Sequence, residues 1–203
     1  MGRTNALHSL YGGKAARLKL AAEAEGKALA GNVGGQKRNQ TVLTTQWFLN
    51  ELRKNVDRPL GYDPCTTPWN PCKALTFSTE KTNGLTVNWA KQSQKHGWIY
   101  VNPPYDDLKR WMVKALMESE RGAQIYMLAP FRPWRTWFCE LIPFSDTLDR
   151  RIVTSLAPMP FEGEKSAYPA PLCVIPYNLS LPYIVNPRGK NMVTGHWDMV
   201  VAA

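Results

Sequence analysis

The sequence predicts an α/β protein with a parallel central sheet. Short runs of aromatic and β-branched residues alternate with segments whose apolar residues recur at helical spacing, which is typical of strands joined by helices. Two predicted strands end abruptly at prolines, in Asp63-Pro64 and in Asn102-Pro103. Ligands of parallel sheets bind beyond the carboxyl ends of the strands, so both steps are candidate positions for chemistry.

The first predicted elements are a helix and two buried strands. Apolar residues at helical spacing predict a helix over 45–53, with Thr44 or Thr45 as its N-cap. A short strand at 60–62 leads into the first proline step. Residues 97–101 are a compact run of aromatic and β-branched residues, which suits a buried strand before the second step.

The clearest helix follows the second proline step. Its apolar residues fall at i, i+3, i+4, i+7 and i+8 and form one face; they are Leu108, Trp111, Met112, Ala115 and Leu116. Asp106 and Asp107 stand where an N-cap and the helix dipole favour acids. Gly122 suits the left-handed turn that ends a helix.

The rest of the chain continues the strand and helix rhythm and then changes. A predicted strand at 125–129 precedes a predicted short helix at 134–142. Proline-rich loops join the last predicted strands, at residues 148–153, 172–175 and 198–201. We therefore expect a mostly parallel central sheet flanked by helices, with a different arrangement in the tail.

The composition excludes several classes of protein. The 203 residues hold 25 Lys and Arg against 16 Asp and Glu, a net charge of +9, and 44% are hydrophobic, too many for wholesale disorder. Without a long apolar run or a leader-like opening segment, we expect no membrane span and a cytoplasmic protein. The four cysteines form no CxxC pair and the three histidines are dispersed, so we expect free thiols and no metal site.

The positive charge is concentrated at the N-terminus. Residues 1–40 hold seven Lys and Arg against two Glu, a net charge of +5 on a fifth of the chain. Glycine-rich joints and low aromatic content separate this arm from a domain at 41–203. The arm is either a solvated extension or an electrostatic contact that neutralises phosphates of a nucleic acid.

The tetrad Asn102-Pro103-Pro104-Tyr105 carries the strongest chemical signal. It resembles motif IV of the S-adenosylmethionine-dependent amino-methyltransferases. An exocyclic aromatic amine is a poor nucleophile because its lone pair is delocalised into the ring, and two acceptors on its hydrogens localise that lone pair. The Asn102 side-chain oxygen and the Pro103 carbonyl can be those acceptors, the prolines hold the carbonyl rigidly, and Tyr105 can stack on an extruded base. The alternative is a proline-rich turn with Tyr105 in ordinary packing.

The order of motifs resembles the phage-type, Dam-like DNA N6-adenine methyltransferases, a family found in prophages. The segments that follow the family's order are Thr44-Thr45-Gln46, Asp63-Pro64-Cys65, residues 79–85 with Trp89, the tetrad, Ala129-Pro130, Trp137-Phe138 and residues 169–175. Three features depart from the family pattern: the glycine-rich loop after the first strand is absent, Asn83 replaces the usual Asp, and Gln46 replaces the usual Pro.

This resemblance implies a Rossmann-like class I methyltransferase that binds S-adenosylmethionine and DNA. Seven residues would border the cofactor: Asp63, Pro64 and Cys65 at its methionine moiety, Asn83 and Leu85 at its adenine, and Thr44 and Thr45 at its carboxylate. Asp63 is alternatively a helix cap for residues 69–75, and Asn83-Gly84 is alternatively a simple turn.

Residues 131–137 interleave arginines with tryptophans after a predicted strand. Arg132, Trp134 and Arg135 can clamp phosphates and stack on bases if this cluster faces DNA. The same segment also fits an amphipathic helix with its Trp side chains inside and its Arg side chains outside.

The sequence thus predicts transfer of the methyl group of S-adenosylmethionine to adenine N6 in DNA after base flipping. One alternative is methylation of another planar amine, in RNA adenine or in a protein glutamine. A second is a non-catalytic DNA-binding protein with a degenerate methyltransferase fold, which the missing glycine-rich loop favours.

Overall fold

A computed structural model describes residues 43–144 and 150–199 of the chain. The predicted arm at 1–40 lies outside the described residues. The helices of the described part are α1 (Gln46–Arg53), α2 (Trp89–His96), α3 (Leu108–Glu120) and α4 (Thr136–Glu140). The strands are β1 (Leu60–Asp63), β2 (Thr76–Phe77), β3 (Trp98–Val101), β4 (Ile125–Pro130), β5 (Ile152–Leu156), β6 (Leu172–Tyr177) and β7 (Val193–Asp198). Short 3-10 turns cover Gly84–Thr86 and Tyr105–Asp107.

The seven strands form one sheet in the order β2-β1-β3-β4-β6-β5-β7. Strands β1 to β4 are parallel, whereas β4 with β6, β6 with β5, and β5 with β7 are antiparallel pairs. The α/β class is confirmed, but the prediction of a mostly parallel sheet is wrong, because half of the strand pairs are antiparallel. The cause lies in the connections, since parallel neighbours usually need a crossover helix and no helix occurs between β5 and β7 in the described chain.

Both faces of the central strands are buried. On one face, α2, α3 and α4 pack against strand residues such as Ile99, Val101 and Met127. On the other face, α1 and the loop between β5 and β6 pack against Trp98 and Tyr100. Large apolar side chains buried to this degree each contribute about 1.5–3 kcal/mol, so the two layers hold the carboxyl ends of the strands in fixed positions.

Helix α3 forms where its apolar spacing predicts it. The side chains of Leu108, Met112 and Leu116 are buried against the sheet. Asp107 is the N-cap residue, although its side chain makes no capping hydrogen bond. Gly122 has a φ of 96°, the left-handed conformation expected after the helix.

The elements of the tail differ from the predicted ones in their bounds. Helix α4 is shorter than the predicted 134–142, and β5 begins later than the predicted strand at 148–153. The strand predicted at 198–201 lies partly outside the described residues, which end at Met199; within them, Asp198 is the last residue of β7. Strand β7 lies at the edge of the sheet, with most of its residues exposed. An edge strand needs few apolar residues, which is why residues 193–197 carry little strand signal in the sequence.

Candidate active site

The carboxyl ends of β1 and β3 lie side by side at one edge of the sheet. The chain leaves β1 toward β2 on one side and leaves β3 toward β4 on the other. This makes the boundary between β1 and β3 a topological switch point, where open α/β sheets bind ligands. Asp63 ends β1 and Asn102 directly follows β3, so the two proline steps meet there.

Asn102 is held at both ends of its carboxamide group. Its Nδ2 donates to Thr44 Oγ1 at 3.2 Å, and the hydroxyl groups of Thr44 and Tyr100 lie 2.7 Å apart. At the other end, the Tyr105 hydroxyl donates to Asn102 Oδ1 at 3.0 Å. Thr44 and Tyr100 are buried, so these contacts fix the plane of the carboxamide.

The backbone of the tetrad offers a second acceptor beside Asn102. The Pro104 carbonyl accepts a hydrogen bond from the Asp107 amide at 3.1 Å and so begins the turn into α3. Pro103 is a buried residue, and its carbonyl receives no hydrogen bond from the described residues. An amide oxygen accepts up to two hydrogen bonds, so the bond from Tyr105 does not exclude a further donor at Asn102 Oδ1.

The side chain of Tyr105 is part of an aromatic cluster and is nearly buried. Its side chain is only 9% exposed, and its ring meets that of Tyr168 edge to face, with centroids 5.5 Å apart. Tyr168 packs in the same way on Phe161, at 5.6 Å. Burial raises the pKa of Tyr105 well above its usual value, so its hydroxyl stays protonated and remains a hydrogen-bond donor.

Asp63 is a buried carboxylate at the end of β1. Burial raises its pKa from 3.8 to about 6, despite hydrogen bonds from the Cys65 amide and from Cys72. The Cys65 amide donates at 3.1 Å, and the Cys65 thiol donates to the Asn102 carbonyl at 3.3 Å, which links the two strand ends. Residues 69–75 form no helix, so the alternative that Asp63 caps a helix there is wrong.

The turn of Asn83 and Leu85 lies directly against the end of β1. Gly84 approaches β1 so closely that an added Cβ would lie 1.9 Å from the Pro64 carbonyl oxygen. From the other side, Trp89 Nε1 donates to the Gly84 carbonyl at 2.8 Å. Asn83 adopts a φ of 44° and its Oδ1 accepts from the Leu85 amide at 3.3 Å. Asn83 is therefore a turn residue, and the turn lies beside the other candidate cofactor residues.

Two shielded hydroxyl groups near these strand ends have no hydrogen-bond partner among the described residues: Thr45 Oγ1, at the start of α1, and Thr67 Oγ1, in the loop after β1. Buried polar atoms usually have a partner. A ligand carboxylate accepts bonds from hydroxyl groups, and an ammonium group pairs with a carboxylate such as that of Asp63. The donor set therefore fits a ligand with the two charged groups of an amino acid.

Arg132, Trp134 and Arg135 follow β4, at the same edge of the sheet as the tetrad. Trp134 is 69% exposed and precedes α4, so an amphipathic helix with Trp inside is wrong for this residue. Phe131 packs on Trp197 of β7, with ring centroids 5.9 Å apart, and Trp197 is itself 53% exposed. The segment after β4 therefore carries the exposed Trp134 and the two arginines, and it contacts the exposed Trp197 through Phe131.

Three neighbours of the candidate site residues were not predicted from the sequence: Tyr100, Tyr168 and Trp197. Tyr100 lies two residues before Asn102, and strand alternation puts such residues on one face, so the sequence did contain a signal for it. Tyr168 and Trp197 come from the loop between β5 and β6 and from the edge strand, and no local spacing indicates their positions.

The four cysteines are free thiols, as predicted. In residues 43–144 and 150–199, no group of three or more His, Cys, Asp or Glu side chains is arranged to hold a metal ion. Within the same residues, no helix combines the length and the apolar character that a membrane crossing requires.

The fold and the site define an α/β protein with a two-acceptor tetrad at the switch point of its parallel strands. The model of the Dam family, described as DNA N-6-adenine-methyltransferase, matches residues 41–149. This span exceeds half of the 203-residue chain and contains the tetrad, so the protein belongs to the Dam family of DNA N-6-adenine-methyltransferases. The predicted family is confirmed. No curated protein matches the chain.

Proposed function

We propose that the protein transfers the methyl group of S-adenosylmethionine to the exocyclic N6 of adenine in DNA, after the base is flipped out of the helix. Its family supports DNA adenine methylation as the activity. The observation that carries the proposal is the fixed carboxamide of Asn102 beside the Pro103 carbonyl, at the carboxyl end of β3.

The two acceptors make the adenine amine nucleophilic. Asn102 Oδ1 and the Pro103 carbonyl each accept one N6 hydrogen, which draws the nitrogen toward sp3 geometry and frees its lone pair from the ring. S-adenosylmethionine, when bound, supplies an electrophilic methyl group. Asn102 is neutral and cannot hold the proton that N6 loses after transfer, so that proton leaves to water. Orientation and polarisation, rather than strong base catalysis, do the work.

Stacking of the flipped base would involve the aromatic cluster around the tetrad. Tyr105 lies edge to face with Tyr168 at 5.5 Å, and Pro104 starts the turn that carries Tyr105. A planar base stacks favourably on such rings. We expect the flipped adenine to stack on the ring of Tyr105, with the adenine N6 amine directed at Asn102 and Pro103.

The end of β1 fits the amino-acid moiety of the cofactor. The buried Asp63 carboxylate would pair with the ammonium group, and the Thr45 hydroxyl, which has no partner among the described residues, would donate to the carboxylate. The Thr44 hydroxyl is already engaged with the tetrad, so we assign it to Asn102 rather than to the cofactor. Asn83 and Leu85 would border the adenine ring.

The parallel strands β2-β1-β3-β4 and their switch point support a Rossmann-like arrangement of this site. The loop after Pro64 and Cys65 is not glycine-rich and carries Pro68 and Trp69 instead. In place of a glycine-rich loop, the close approach of Gly84 to Pro64 would bring a second backbone segment next to the bound cofactor.

DNA would meet the protein through two positively charged regions. Arg132 and Arg135 would contact phosphates, with Trp134 against a base or sugar. The arm at 1–40, with its net charge of +5, would add attraction that does not depend on base sequence. The domain at 41–203 would then carry the chemistry.

Nucleoside mass spectrometry tests the proposal directly. The protein is incubated with methyl-labelled S-adenosylmethionine and either unmethylated DNA or RNA, and the products are digested and analysed. We expect labelled N6-methyladenine from DNA, and loss of this product in Asn102→Ala with an unchanged melting temperature. Label in RNA alone would contradict the DNA substrate. DNA binding without calorimetric binding of the cofactor would indicate a non-catalytic DNA-binding protein.

A further inference from the structure

Behind Asn102, two buried hydroxyl groups connect the tetrad to the protein core. Thr44 is 3% exposed and Tyr100 is 1% exposed. Thr44 Oγ1 accepts from Asn102 Nδ2 at 3.2 Å and lies 2.7 Å from the Tyr100 hydroxyl. Tyr100 and Asn102 point to the same side of the chain because they are two residues apart around the end of β3.

These contacts select one orientation of the Asn102 carboxamide. A carboxamide turned by 180° about its terminal bond would bring Nδ2 to the substrate side, and a nitrogen that donates cannot accept an amine hydrogen. A phenol is a stronger hydrogen-bond donor than an aliphatic alcohol, and the amide oxygen is a strong acceptor, so Tyr105 favours Oδ1 at its end. Thr44, whose hydroxyl shares a hydrogen bond with the phenol of Tyr100, accepts from Nδ2 at the other end.

We propose that Tyr100 and Thr44 are positioning residues that hold Asn102 Oδ1 toward the target amine. The inference rests on the proposed function, because it assigns these hydroxyl groups to the same methylation site. Neither residue touches the reacting atoms. They act by orienting the Asn102 carboxamide. Removing their hydroxyl groups should therefore lower the rate of methyl transfer and leave the affinity for DNA nearly unchanged.

The structure offers a matched control for Tyr100. Tyr126 is its register partner on β4, lies on the same face of the sheet and is also fully buried. Its hydroxyl donates to the Ser180 carbonyl at 2.8 Å, away from the tetrad. Tyr100→Phe and Tyr126→Phe therefore each remove one buried hydroxyl and its hydrogen bond, but only the first touches the proposed path to Asn102.

The test compares these variants with Thr44→Val and Thr44→Ser. A misplaced catalytic group costs up to about 100-fold in rate, so we expect kcat for N6-methyladenine formation to fall about 10- to 100-fold in Tyr100→Phe and Thr44→Val, with KM for DNA within about twofold of wild type. Thr44→Ser should restore the rate, because serine keeps the hydroxyl. Tyr126→Phe should retain the wild-type kcat.

A second measurement does not depend on catalysis. In 15N-labelled protein, the Asn102 side-chain amide is identified by its absence in Asn102→Ala, and its hydrogen exchange is measured. Exchange should accelerate in Tyr100→Phe and Thr44→Val but not in Tyr126→Phe. Wild-type exchange and kcat in folded Tyr100→Phe would overturn the inference. If the wild-type protein forms no N6-methyladenine, the proposed function fails, while the exchange data still decide whether the hydroxyl groups hold the amide.

Discussion

Asp63→Asn is expected to make the protein more stable at neutral pH, whereas replacing a carboxylate that is stabilised in the folded state makes a protein less stable there. The pKa of Asp63 rises from 3.8 to about 6 in the folded protein, chiefly because burial disfavours the charged form. Between these two pH values the folded state binds more protons than the unfolded state. The free energy of unfolding of the wild type therefore falls as pH rises from about 4 to about 6, and this loss is complete above pH 6.

The size of the effect follows from the same two pKa values. At about 1.4 kcal/mol per pH unit, keeping Asp63 ionised within the fold costs about 3 kcal/mol at neutral pH. Asparagine has no charge to bury and keeps an oxygen that can accept from the Cys65 amide. Asp63→Asn should thus be more stable than wild type by up to about 3 kcal/mol near pH 8, and nearly equal to it near pH 4.

Urea unfolding of both proteins between about pH 4 and pH 8 measures this difference. Asp107→Asn serves as a comparison, because the Asp107 carboxyl is only partly buried and its raised pKa is opposed by Arg110, so its substitution should change the pH slope less. A wild-type stability that does not fall with pH, or an Asp63→Asn variant that is less stable at pH 8, would refute the reasoning. On the proposed function, Asp63→Asn should also lose the thermal stabilisation that S-adenosylmethionine gives the wild type.

Three further substitutions test other contacts. Gly84→Ala should raise the Kd for S-adenosylmethionine at least tenfold and lower stability by about 1–3 kcal/mol, because its Cβ would lie 1.9 Å from the Pro64 carbonyl oxygen; calorimetry with a Kd near wild type would contradict this. Replacing both Arg132 and Arg135 by Gln should weaken DNA binding and reduce the slope of log K against log salt by about 2, measured by fluorescence anisotropy; an unchanged slope would remove both from the interface. Glu118→Ala should cost about 3 kcal/mol in urea unfolding, since this buried carboxylate accepts from a backbone amide at the start of α2 and pairs with two cations; a loss below about 1 kcal/mol would show that the site collapses without it.

Local signals predicted β1, β3, β4 and α3 in the parallel half of the fold, but not the two-residue strand β2 or helix α2. The strand before Asn102 and the helix after it are both visible in the sequence, because a run of aromatic and β-branched residues is followed by a capped, regularly spaced apolar face. The position of β7 was not predictable in this way, since an edge strand buries few of its side chains. The antiparallel order of β5, β6 and β7 depends on the direction in which each loop brings the chain back to the sheet. The spacing of apolar residues does not indicate this direction.

The candidate site shows the same division between local and distant contacts. Asp63 and Asn102 could be placed at one edge because each follows a strand of a parallel sheet. Tyr168 reaches Tyr105 from the loop between β5 and β6, and Thr44 reaches Asn102 from the start of α1. Contacts between residues about 60 positions apart are set by the packing of whole layers, so no single motif could indicate them.

The absence of a glycine-rich loop changes which part of the chain approaches the candidate cofactor residues. In this protein the turn before α2 makes the close approach, with Gly84 packed on the Pro64 carbonyl and fixed by the indole of Trp89. Trp89 is fully buried and stacks on Trp111 of α3 at 6.1 Å. The position of the turn therefore depends on the packing of α2 and α3 rather than on the conformational freedom of a loop. On the proposed function, cofactor affinity should then follow the integrity of this tryptophan pair, and changes well away from the ligand should alter it.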